Sequence, residues 1–96
     1  MPNIEITWTR ETEDGEKLHI CARSRGDHWV FSSRMRRFDT WRKVAHPLLE
    51  DWLVLLDGVR RRGGRYRFDP RDEARLIAHI RRLFPQARIG ARGEPQ

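Results

Sequence analysis

Ninety-six residues with a formal net charge of +6, 38% hydrophobic residues and one cysteine predict a single small, basic, α+β domain. The lone Cys21 excludes an intrachain disulfide scaffold, and the longest apolar run, Trp52 to Leu56, is far short of the roughly 20 residues that cross a bilayer. No basic stretch leads into an apolar run near Met1, so no signal peptide and a cytoplasmic location are expected.

All but two of the 20 basic residues, Lys17 and Lys43, are arginine. GC-rich codons produce that bias throughout a bacterial proteome, so arginine abundance says little and only clustering is informative. Charge along the chain is indeed patchy. Residues 1–16 carry net −4, 17–47 net +6, 48–58 net −3 and 59–68 net +5.

The N-terminal third reads as a three-stranded antiparallel meander. Ile4, Ile6 and Trp8 alternate with polar residues, as do Leu18, Ile20 and Ala22, then Trp29 and Phe31. A two-residue turn at Asp14-Gly15 would put the first two apolar sets on opposite faces. A three-residue loop, Glu13-Asp14-Gly15 with Gly15 left-handed, pairs Trp8 with Ile20 and Ile6 with Ala22. It also sets Glu11 against Lys17 and Glu5 against Arg23, which favours it. A turn around Arg25-Gly26 then places Trp29 beside Ala22 and Phe31 beside Ile20. The opposite face, from Glu5, Thr7 and Thr9 to His28, Val30 and Ser32, is expected to be wet.

Two or three helices are expected to cover the apolar face. Asp39 reads as the N-cap of a short helix carrying Trp41, Val44 and Ala45. From Pro47, Leu48, Leu49, Trp52, Leu53, Leu55, Leu56 and Val59 form an apolar stripe, with Glu50, Asp51, Asp57 and Gly58 opposite. Pro47 either kinks one long helix or separates two. Gly63-Gly64 ends this segment, and Arg65 to Phe68 reads as a short fourth strand. The last helix has Asp69 as N-cap and Pro70 at its first position. Its expected core residues are Ala74, Leu76, Ile77, Ile80, Leu83 and Phe84, and Pro85 stops it. The domain thus spans 1–89, with 90–96 as a disordered tail.

Catalytic signatures are absent from the sequence, so a non-enzymatic protein without a cofactor is expected. His19, Cys21 and His28 share the wet face, but their spacing matches no compact zinc motif and no third group orients a Cys–His pair. His46 and His79 have no carboxylate placed beside them, and Gly63-Gly64 precedes a strand, the wrong order for a phosphate loop.

Two basic clusters carry the functional expectation. The first is Arg34, Arg36, Arg37, Arg42 and Lys43, interrupted by Met35, Phe38 and Trp41; the second is Arg60, Arg61, Arg62, Arg65 and Arg67 around Tyr66. Tryptophan and arginine anchor protein interfaces, so a protein-interaction or accessory module is the leading reading, with self-association of acidic and basic patches as one form. Nucleic-acid binding is the alternative, because arginine interleaved with aromatics suits phosphate contact and base stacking.

Overall fold

The alternating apolar residues of the first third become strands in the computed structural model, which describes residues 4–25, 28–35, 39–62 and 70–89. The chain divides into two compact units: Met1–Pro47 holds a four-stranded antiparallel sheet, and Leu48–Gln96 holds two helices. Among the described residues, no helix is long and apolar enough to cross a membrane.

The sheet comprises β1 (Glu5–Glu11), β2 (Lys17–Arg25), β3 (His28–Arg34) and β4 (Arg42–Val44), in that spatial order. Its first hairpin has the register that turn chemistry and charge pairing select. Trp8 faces Ile20, Ile6 faces Ala22, Glu5 faces Arg23 and Glu11 faces Lys17. The three-residue loop is closed by Thr12 N–H donating to Glu16 O at 2.8 Å and Gly15 N–H donating to Thr12 O at 2.9 Å. Gly15 has φ +80°, the left-handed geometry this loop requires.

The second hairpin departs from expectation by two residues. Ala22 pairs with Phe31, Ser24 with Trp29, and Arg25 with His28, so Arg25 belongs to the ladder, and the rest of the expected turn lies outside the described residues. A slip of two keeps every side chain on its expected face, because strand side chains repeat with period two. Ile6, Ile20, Ala22 and Phe31 are accordingly buried, and Trp8 meets Phe31 edge to face at 6.0 Å.

The segment after Asp39 is a strand, not the expected short helix. β4 pairs Phe31 with Val44, Ser32 with Lys43 and Ser33 with Arg42. The edge of β3 offers unpaired backbone groups to any extended neighbour, and that long-range pairing overrides the weak helical spacing of Trp41, Val44 and Ala45. No helix therefore runs into Pro47: β4 ends at Val44 and α1 (Leu49–Arg62) begins beyond the proline. The fourth strand of the sheet is 42–44, beyond the expected three-stranded meander; the short fourth strand expected at 65–68 lies outside the described residues. The described helices number two.

In the second unit, α1 is antiparallel to α2 (Pro70–Leu83). Early α1 meets late α2 through an edge-on contact of Trp52 with the His79 ring at 5.1 Å. Late α1 meets early α2 through Arg60 and Glu73, whose charged atoms lie 3.8 Å apart. Pro70 opens α2, Asp72 and Glu73 occupy its first turn, and Arg81 and Arg82 its last, as the helix dipole favours. Trp52, Leu55, Leu56, Val59, Leu76 and Ile80 are buried. Asp51 and Gly58, expected on the outer side of α1, are buried too, whereas Leu48 and Val54 are exposed. The inward arc of α1 is thus rotated toward its 51/55/58 row. On α2, Ala74 and Leu83 are exposed rather than packed.

Candidate functional site

The strand register sorts chemistry onto two faces of the sheet. Opposite the apolar set lie Glu5, Thr7, Cys21, Arg23, Arg25, Val30, Ser32, Arg34 and Lys43, since each pairs with a residue of the same parity. Trp41 shares this parity with Lys43. The face was expected to be uniformly wet, but its centre is not.

A concavity of about 250 Å³ opens there, lined by Glu5, Cys21, Arg23, Arg25, Val30, Ser32 and Trp41. Cys21 is only 6% exposed. Glu5 and Arg23 form one wall: Arg23 Nη2 and Nε donate to Glu5 Oε2 at 2.8 and 3.2 Å. Trp41 lines the concavity too, with Arg34 behind it on the same face rather than in the lining. Their positions extend the β3–β4 register, and the Arg34 guanidinium lies 4.4 Å from the Trp41 ring centroid. Arg34 Nε is buried with no hydrogen-bond partner among the described residues.

The floor is neutral. Burial, then the Glu5 carboxylate by its charge and by accepting the thiol's hydrogen bond, push Cys21 from an ordinary 9.0 up to about 11, with Arg23 opposing. Such a thiol is protonated at neutral pH and is a poor nucleophile and metal ligand. Nor does the fold gather Cys21 with both histidines. Cys21 faces Ser32, and His28 faces Arg25, four residues along β2, about 13 Å at roughly 3.3 Å per residue. Among the described residues, no group of three or more His, Cys, Asp or Glu is placed to hold a metal ion.

The two arginine clusters fare differently. Of the first, Arg34 and Lys43 belong to the concave face, Arg42 projects from the opposite face, and Arg36, Arg37 and Phe38 lie outside the described residues. Of the second, Arg60 is mostly buried beside Glu73, and Arg61 is exposed beside Asp57 at 3.1 Å. Arg62 closes α1, while its side chain, together with Arg65, Tyr66 and Arg67, lies outside the described residues. His46 is exposed after β4. His79 leans on Trp52.

Sequence reasoning placed most of the lining residues on one face but did not single them out as a site. Trp41 was hidden by its assignment to a helix. The pattern Trp41-Arg42-Lys43-Val44, read with strand period, puts Val44 inward and Trp41 with Lys43 outward. No protein-family model matches this chain, and no curated protein or solved structure matches it either.

Proposed function

We propose that the chain is a non-catalytic binding module, an interaction or accessory domain that engages an anionic partner on the concave face of its sheet. One observation carries this reading. Arg25, Arg34 and Lys43 share that face with half-exposed Trp41, and none of the three cations has an acidic partner among the described residues. Uncompensated cations on one surface create a field that attracts anionic partners. A volume of about 250 Å³ is below the roughly 300–1,000 Å³ of small-molecule sites, so the concavity suits one group of a larger ligand. A single cysteine, with no second to pair within the chain, suits a reducing compartment such as the cytoplasm.

The test is a polyanion panel at low salt: poly-glutamate, single-stranded oligodeoxythymidine and duplex DNA, each measured by fluorescence anisotropy against the full chain and its Arg25→Glu/Lys43→Glu variant. Binding of at least one probe, weakened tenfold or more in the variant, is expected. No binding to any probe, or equal binding by the variant, overturns the reading.

A further inference from the structure

We propose that the partner is a single-stranded nucleic acid, one base of which stacks on Trp41 while its flanking phosphates contact Arg25, Arg34 and Lys43; this rests on the binding-module reading above. Four features of the concavity point to a nucleotide unit rather than an acidic polypeptide. Trp41 gives it an aromatic wall, 38% exposed. Val30 and the protonated Cys21 give it an uncharged floor, which accepts a planar base but offers nothing to a carboxylate. Glu5, held by Arg23, lines it as well and can accept hydrogen bonds from exocyclic amines of bases. Arg25 lines this centre, and Arg34 and Lys43 stand on the same face around Trp41, where phosphates on either side of a bound base would be met.

The single strand follows from geometry. A tryptophan on a sheet surface reaches the flat face of a base only when that base is unpaired and unstacked. Reading a duplex requires an element that enters a groove, and among the described residues this face of the four-stranded sheet presents a concavity and no such element. The Arg34 guanidinium, 4.4 Å from the indole centroid, braces Trp41 and adds a cation beside the stacking surface.

The experiment compares oligodeoxythymidine, duplex DNA and poly-glutamate on the full chain, with Trp41→Ala, Trp41→Phe and Arg25→Glu/Lys43→Glu variants checked for folding by circular dichroism. The expected result is preference for the single strand, about 5- to 150-fold weaker binding in Trp41→Ala, and substantial retention in Trp41→Phe. The logarithm of affinity should fall against the logarithm of salt with a slope of about −2, the value for three single-strand phosphates. Should Trp41→Ala fail to fold, Trp41→Leu, which keeps bulk but has no aromatic face, takes its place and is expected to lose binding that Trp41→Phe retains. Binding of poly-glutamate in preference to the oligonucleotide overturns this inference while leaving the binding-module reading intact. Equal affinity for single strand and duplex, or affinity indifferent to Trp41 in a folded variant, also overturns it, and absence of all binding overturns both.

Discussion

Arg34 at the end of β3 and Trp41 just before β4 are cross-strand neighbours, with the guanidinium 4.4 Å from the indole centroid. This contact joins the short fourth strand to the sheet beyond its three paired residues and braces Trp41, which lines the concavity. A double-mutant cycle with Arg34→Met and Trp41→Leu, followed by urea unfolding, should return a coupling of about 0.5–1 kcal/mol. Additive losses would show that the two side chains merely lie near each other.

The Cys21 thiol has a pH consequence. Its folded value of about 11 lies above the ordinary 9.0, so the folded state retains the proton when the unfolded chain has begun to lose it. The contribution to stability is complete below about pH 9 and is lost as pH rises toward 11. Thiolate absorbance near 240 nm should therefore titrate near pH 11 in the native protein and near 9 in urea. Glu5→Gln removes the charge that disfavours the thiolate, so it should bring the native titration down, short of 9.0 because burial persists. A native thiol titrating near 9 in the unsubstituted protein contradicts this account.

Gly15 is a conformational requirement rather than a packing one. Nothing lies within 4 Å of a Cβ built at this position, yet φ is +80°. Gly15→Ala should cost about 1–2 kcal/mol from left-handed strain, and Gly15→Asn less, because asparagine tolerates that region better. Thermal unfolding of the two variants orders them; an alanine variant as stable as the parent would mean that the loop adopts another turn.

On α2, Ile80 is fully buried and Leu83 is 48% exposed, although helical spacing recommends both for the core. Ile80→Ala should cost about 2–5 kcal/mol and Leu83→Ala within about 0.5 kcal/mol of nothing. Equal losses in chemical denaturation would place Leu83 in a packed environment that this fold does not provide.

Arg60 and Glu73 tie the two helices together with side chains only 12% and 21% exposed. Removing one charge leaves the other poorly solvated, so Arg60→Met and Glu73→Gln should each destabilise by about 1–3 kcal/mol. The double variant should recover part of that loss, which a urea titration of all four proteins measures. A double variant with the full sum of both losses would show that the ions act independently.

What sequence determined by itself was local. The register of β1 with β2 follows from a single hairpin: Gly15 supplies the left-handed turn, and Glu11 with Lys17 and Glu5 with Arg23 align the ladder. The start of α2 at Pro70 is legible for the same reason, since the first turn carries its own signals. Tertiary structure decided what depends on distant backbone. Residues 42–44 become a strand because β3 leaves an edge to be paired, and Asp51 turns inward because packing, not amphipathic spacing, sets the final rotation of α1. The candidate site belongs to this second class. Glu5, Cys21, Ser32 and Trp41 come from four separate segments, and only the completed ladder brings them around one concavity.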